Sequence, residues 1–480
     1  MSEQLKTNRR AFLKTSGLLA AGASMAGTLG ISRSAHAAGS DLIKVAMVGC
    51  GGRGGSAIMD RLQVEDNMKV VAIADAFEWR VKNVAQSIRS DEFKEFVDLP
   101  DSRLFWGFDS YKKAMDCLSP GDQVLLVTPP GLRPPQYRYA VEKGLHVFME
   151  KPMFTDAPGY RHTMESNKIA DEKGLKVCVG LQRRYEPHYY NWAKEIADGK
   201  IGDVSFSRVY WNSPAIWCHA RQRGETEMTY QMRNWYHFVW LCGDNICEQH
   251  VHNLDIGNWI HGKGDPLVHP VKANAQGGRQ NTAAPMDILR TAPAYADQDA
   301  WWDWYTKNDN AVRNACSRYG QAWDHFFVEF TYPDGSRMFS QCRHIDNCWN
   351  PVEEHIHGTK GIGQAGWLRD TAGNEIWRST ERVPKGPYQW EHDCLVKAIR
   401  ENQPMNDGWF AATSTMIAVF GRMAAFSGRE LNWDDAVEKG KRYAPVADPK
   451  WDDNPPVMPD ADGFYESSVP KQGIYNPFES

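Results

Sequence analysis

Apolar and polar positions follow two different rhythms along this chain. Between residues 42 and 180, short apolar runs recur, each closed by a glycine, an acid or a proline. Residues 42–49 (LIKVAMVG), 69–75 (KVVAIAD), 123–128 (QVLLVT), 146–149 (HVFM) and 176–180 (KVCVG) are apolar enough throughout to predict strands covered on both faces. Helices are predicted between them: up to about residue 63, within a longer segment to about 119, over 134–143 with Gly144 as the stop, and over 157–173. Strands alternating with helices predict βαβ units, so residues 41–180 are expected to form a doubly wound parallel sheet of the Rossmann type.

Past about residue 185 the pattern changes. Residues 204–211 and 325–332 alternate apolar and polar, which predicts strands with one wet face, and Pro333-Asp334-Gly335 predicts a turn between two of them. Residues 391–401 and 409–427 predict two helices. Residues 181–430 therefore read as an α+β domain around a mainly antiparallel sheet. Residues 431–480 read as a C-terminal extension whose Pro- and Asp-rich tail wraps the surface.

The N-terminus fits neither domain. Lys6, Arg9, Arg10 and Lys14 stand against one acid, Glu3, then a small, weakly apolar stretch runs from Gly17 to Ile31 and Ala35-His36-Ala37 offers a cleavage site. The run Asn8-Arg9-Arg10-Ala11-Phe12-Leu13-Lys14 resembles a twin-arginine export signal. Residues 1–37 are thus expected to be a signal peptide, and the mature chain periplasmic or otherwise exported. The apolar stretch is shorter than the roughly 18–20 residues a membrane span needs, and no other stretch reads as one, so stable membrane insertion is not expected. Five basic residues leave with the leader against one acid, making the remainder four charges more negative than the −5 of the whole chain. With no basic patch, nucleic acid is not an expected partner. The ten cysteines are scattered without a C-x-x-C pair and are expected to be mostly buried small side chains.

Gly49, Gly51 and Gly54 follow the first predicted strand and open a helix, the context in which G-x-G-x-x-G points to a dinucleotide. The first glycine allows the tight turn, the second lets the backbone approach a pyrophosphate and the third lets helix pack on strand, so Gly49, Gly51, Gly52, Arg53 and Gly54 are the expected cofactor-binding residues at the helix N-terminus. Asp75 closes the next strand, where a carboxylate can accept the ribose hydroxyls and repel a 2′-phosphate. NAD is therefore the expected cofactor; Arg53 and Arg80 leave NADP open. Thr128, Pro129, Glu150 and Lys151 end later strands of the same sheet, where such folds bind ligands. Lys151 can donate to a substrate oxygen or take its proton.

In order and at matching spacing, AMVGCGGRG, VVAIAD, LLVTPP and GLHVFMEKP resemble the Gfo/Idh/MocA family of sugar oxidoreductases. Residues 243–255 (GDNICEQHVHNLD) resemble that family's second-domain signature. The resemblance covers roughly residues 42–430. It implies a Rossmann domain plus an open-faced sheet domain with the active site between them, proton transfer by Lys151 and His252, and a homo-oligomer. Glu248, where the family often has Asp, His252 and Asp255 are spaced so that one helix would carry all three on one face, the acids holding the imidazole. Arg183, Arg184 and Tyr185 follow the fifth strand and are candidates to bind a sugar or glycoside. Arg133 stands where the family commonly has a histidine. Trp301, Trp302 and Trp304 can stack on a sugar ring or pack a core. No metal-ligand spacing is present.

Hydride transfer between a sugar carbon and nicotinamide follows from this set. Outside the cytoplasm the cofactor cannot exchange with a pool, so it is expected to be tightly bound and restored every turnover. Two schemes do this: oxidation, elimination of an aglycone, hydration and reduction, as in NAD-dependent glycosidases, or oxidation of one sugar and reduction of a second. An ordinary NAD-coupled sugar or polyol dehydrogenase and a non-catalytic sugar- or nucleotide-binding protein remain the alternatives.

Overall fold

A computed structural model describes residues 41–280, 291–313, 320–383 and 385–479; the leader and Cys316 lie outside the described residues. The first sheet contains β1 (Ile43–Val48), β2 (Met68–Asp75), β3 (Leu104–Trp106), β4 (Gln123–Leu126), β5 (His146–Met149) and β6 (Val177–Val179). Its order is β3-β2-β1-β4-β5-β6 and every pair is parallel. The strands run apolar because helices cover both faces: Val45, Met47 and Phe148 point to one core, and Ala46, Val124 and Val147 to the other. The edge strand β3 was not expected. It has only three residues and ends in a half-exposed Trp106, too short and too wet for a periodic signal.

The second sheet has nine strands: β7 (Val204–Ser213), β8 (Lys272–Gly278), β9 (His325–Thr331), β10 (Arg337–His344), β11 (Val352–Gly358), β12 (Gly361–Gln364), β13 (Trp367–Asp370), β14 (Glu375–Arg378) and β15 (Leu431–Asn432). The order is β14-β13-β12-β11-β7-β10-β9-β8-β15, antiparallel except for β7 beside β10. The predicted turn at 333–335 joins β9 to β10. Helices Val251–His261 and Gly408–Ser427 cover one face, where Val209, Val328 and Met338 are buried. On the other face Phe327 and Ile362 are exposed.

Two helices tie the domains together. Gly408–Ser427 is, by length and composition, apolar enough to cross a bilayer, which corrects the expectation that no such stretch remained. It is nevertheless a core helix, buried along nearly its whole length. Helix Pro387–Arg400 packs Leu395 and Ile399 into the first sheet's core and stacks His392 on Phe148 at 4.1 Å. The C-terminal extension also bridges. Asp448 pairs with Lys112 at 2.7 Å and Trp451 rests on Phe77 and Phe108, while Tyr465 is buried against Phe238 beyond them.

Candidate functional site

The carboxyl ends of β1, β2, β4 and β5 open into a cleft of about 490 Å³ whose far wall is the second domain. Its floor begins at Gly49, whose φ of +103° is left-handed and whose added Cβ would sit 2.5 Å from the Val127 carbonyl carbon. Helix Gly52–Leu62 starts directly behind this turn, and an added Cβ at Gly54 would strike the Gly49 carbonyl oxygen at 1.9 Å. Those two glycines permit strand and helix to meet. Gly51 and Gly52 instead face open space in the cleft, with nothing within 4 Å of a Cβ at Gly52. A helix N-terminus with uncapped amides beside that space fits a pyrophosphate.

Asp75 lines the same cleft at the end of β2. Its Oδ2 accepts from the Cys50 amide at 2.6 Å and its Oδ1 from the Phe77 amide at 2.8 Å, so the carboxylate is fixed toward the loop. Burial raises its pKa above the ordinary value, and Arg80 opposes that. Each oxygen keeps a lone pair for a ribose hydroxyl. The residues present thus fit a dinucleotide along β1 and β2.

Arg53 also lines the cleft, but its charge is committed elsewhere. It reaches Glu150 at 2.5 Å, Asp60 at 3.1 Å and Glu391 at 3.5 Å, and lies 4.8 Å over the Tyr388 ring. A guanidinium shared among three carboxylates is poorly placed to receive a 2′-phosphate. Thr128 and Pro129 line the cleft above β4, with the Thr128 hydroxyl donating to Gln136 at 2.6 Å. Arg133 does not project a free charge toward ligand. It is buried beneath the Thr128–Pro130 turn and donates to the carbonyls of Thr128, Glu150 and Pro152, bracing the strand ends.

Lys151 extends from the end of β5, before a cis peptide to Pro152. Its Nζ lies 3.2 Å from Glu248 Oε1 and also donates to the Glu248 carbonyl. Glu248 is buried: desolvation raises its pKa, and the Lys151 charge pulls it back. His252 shares the cleft wall and lies 5.7 Å from Trp211, the rings nearly parallel. Burial first, then the charges of Lys151, Arg183 and Arg53, holds its pKa well below the ordinary histidine value. The imidazole is therefore neutral at neutral pH, the form that accepts a proton. Its Nδ1 is buried and makes no hydrogen bond within the protein.

The expected single helix carrying Glu248, His252 and Asp255 is not present. Asn245–Glu248 is one short helix and Val251–His261 another, so Glu248 and His252 reach the cleft from separate turns. Asp255 is absent from the cleft lining that includes His252. It forms a two-point pair with Arg184, 2.8 Å on each oxygen, and accepts from Ser414 at 2.7 Å. Asp255 and Arg184 are therefore structural, and Arg184 also packs on Trp259 and Phe410. Tyr185 is partly buried and its hydroxyl meets Asp407 and Cys178, outside the cleft lining. Of that trio only Arg183 lines the cleft, held by Glu354, a buried acid on β11. Tyr189 at 3.1 Å and Asn253 at 2.6 Å complete the Glu354 carboxylate's partners.

Sequence reasoning missed Glu354, Trp211, Trp235, Gln249 and Tyr388. Only the inward phase of Glu354 on β11 and of Trp211 on β7 offered a hint, and that depends on knowing which face is covered. Trp301 packs among Tyr295, Tyr305 and Phe464 and gives its indole N–H to the Asp462 carbonyl at 2.9 Å, so that tryptophan cluster builds a core. The nine described cysteines are free thiols.

The Gfo/Idh/MocA model, described as an oxidoreductase family with an NAD-binding Rossmann fold, matches residues 43–181. Over those residues the chain is similar to the Gfo/Idh/MocA family. An inositol 2-dehydrogenase of Acidothermus cellulolyticus is 24% identical over 246 residues, which is 51% of this chain and 60% of that protein. A scyllo-inositol 2-dehydrogenase (NAD(+)) of Bacillus subtilis is 29% identical over 139 residues, 28% of this chain and 34% of that protein. The chain thus spans well under two thirds of the length of these relatives. Solved structures extend the likeness to both domains. Scyllo-inositol dehydrogenase from Lactobacillus casei with NAD(H) and scyllo-inositol superposes with a TM-score of 0.55 at 18% identity, covering 82% of this chain and 99% of the other. Aldose-aldose oxidoreductase from Caulobacter crescentus gives 0.56 at 17% identity, covering 81% and 99%. The two-domain fold is shared with both.

Proposed function

We propose that this protein is an NAD-dependent oxidoreductase acting on a ring hydroxyl of a sugar or cyclic polyol. The observation that carries this reading is the meeting of Lys151, Glu248 and His252 with the Gly51–Asp75 cofactor cradle in one cleft. A bound nicotinamide dinucleotide supplies hydride acceptance and return. The chain's residues handle the proton and the substrate. Neutral His252 takes the hydroxyl proton as the carbon is oxidised, while the Lys151 ammonium, held by Glu248, donates to the developing carbonyl oxygen. Arg183, fixed by Glu354, holds neighbouring hydroxyls. The inositol dehydrogenase relatives support a polyhydroxylated six-membered ring as substrate.

We propose further that residues 1–37 export the folded chain with NAD resident, NADP being the lesser fit because Asp75 faces the ribose position and Arg53 is saturated by acids. Turnover is then redox-neutral. The fold shared with an aldose-aldose oxidoreductase supports return of the hydride to a second sugar; return to the same ring after loss of an aglycone is the other scheme. The assembly we propose is a homo-oligomer covering the outer sheet face at Phe327 and Ile362. Anaerobic mixing of the purified protein with myo-inositol, scyllo-inositol, glucose, galactose and aryl glycosides tests the reading. Near-ultraviolet absorbance of reduced nicotinamide should appear with a ring substrate and disappear in Lys151→Met. Absence of any reduction across the panel contradicts the oxidoreductase assignment.

A further inference from the structure

Two tryptophans line the cleft, Trp211 from β7 and Trp235 from the short turn Trp235–His237. Beyond Trp235 the wall continues outward. The Trp217 ring lies 6.2 Å from Trp235 and 6.4 Å from Tyr236, whose hydroxyl lies beside the Glu248 carboxyl. Trp217 is 44% exposed, although it sits in a segment without regular secondary structure. An exposed indole on a loose loop needs no explanation, but this loop is not loose. The Trp217 carbonyl accepts from the buried His237 ring at 2.9 Å. Two residues on, the His219 amide donates to Asn234 Oδ1 at 2.7 Å and the His219 carbonyl accepts from Asn234 Nδ2 at 3.0 Å. Asn234 is fully buried. Two buried polar side chains are thus spent on fixing the backbone that carries an exposed indole beside the cleft-lining Trp235, with the exposed His219 ring 5.0 Å away.

We propose that Trp217 and His219 form a second sugar subsite, which binds the pyranose ring linked to the one being oxidised. The C–H face of a pyranose is flat and apolar and suits an indole face, while its hydroxyls suit an imidazole edge. Continuity with the cleft through Trp235 selects this occupant over an unrelated partner. The inference rests on the proposed oxidoreductase reading and narrows its substrate to glycosides of at least two rings.

The test is equilibrium binding by calorimetry, using the purified full protein with whatever cofactor it retains. Cellobiose and lactose serve as two-ring probes, glucose, galactose and myo-inositol as one-ring probes. Trp217→Ala should weaken the two-ring probes about tenfold, the loss of one aromatic stacking surface, and leave one-ring binding within about twofold. Trp217→Phe should recover most of the loss, which a merely unfolded loop would not. Equal weakening of both probe classes, or failure of the wild type to bind either two-ring probe more tightly than the one-ring probes, overturns the subsite. Loss of retained NAD without a change in saccharide binding places the indole on the cofactor and also overturns it. If two-ring probes bind as described but no ring substrate reduces the cofactor, the subsite stands and the oxidoreductase reading fails.

Discussion

Replacing Lys151 by Met removes the cation paired with Glu248 and keeps most of the length of the side chain. At 3.2 Å, with both side chains only 10% exposed, the attraction is about 5 kcal/mol at an effective dielectric of about 20. Part of this offsets the cost of burying the two charges, so about 3 kcal/mol or somewhat more is the expected penalty when one partner goes and the other stays charged. Glu248 has an escape, because it can take up a proton. Its folded pKa is already raised by burial, and without Lys151 it rises further. The unfolded chain releases that proton near the ordinary value of about 4.3, whereas the folded variant holds it to higher pH. The folded variant therefore binds more protons than the unfolded one above that pH, and its stability falls as pH rises. Chemical denaturation of wild type and Lys151→Met at about pH 5 and about pH 8 should show a small deficit at the lower pH and a severalfold larger one at the higher. Turnover should fall by at least about a hundredfold at both, the usual scale for a proton-transfer group. A deficit independent of pH, or larger in acid, would refute the buried pair as the source.

Other substitutions separate chemistry from support. The acid limb of kcat/KM should not fall near the ordinary histidine value of about 6.5, because His252 titrates well below it; a limb there would show His252 to be solvated. Arg184→Ala should strand the buried Asp255 carboxylate and destabilise the fold by about 3 kcal/mol, measured by denaturation, with the KM of any surviving folded enzyme unchanged. An Arg184→Ala enzyme of wild-type stability but raised KM would restore Arg184 to the substrate site. Gly54→Ala, whose Cβ would meet the Gly49 carbonyl oxygen at 1.9 Å, should destabilise the folded domain in chemical denaturation, whereas Gly52→Ala, whose Cβ would meet no protein atom, should leave its stability unchanged; equal stability loss in both refutes the loop geometry.

The first domain was largely legible because each of its cues is local. An apolar run ending in Gly49 or Asp75 states both a strand and the chemistry at its end. The second domain's site was only half legible. Glu248, His252 and Asp255 have perfect helical spacing, but the chain breaks at Gln249–His250, which takes Glu248 off that helix, and Asp255 is claimed by Arg184. Side chains adjacent in sequence, Arg183 and Arg184, diverge because buried acids from different elements, Glu354 and Asp255, claim one each. Such long-range pairing leaves no periodic trace. The same holds for Trp217, an unremarkable loop tryptophan until His237 and Asn234 are seen to brace it.

The resident cofactor we propose would tie the proposed leader, the glycine loop and the Lys151–Glu248–His252 cluster into one scheme. The direct measurement is to purify the mature protein without added nucleotide, denature it, quantify the NAD released per chain, and assay a second aliquot on ring substrates with and without added NAD. Stoichiometric release, with turnover unchanged by added NAD, is the predicted result. An empty protein whose rate rises in proportion to added NAD would contradict it.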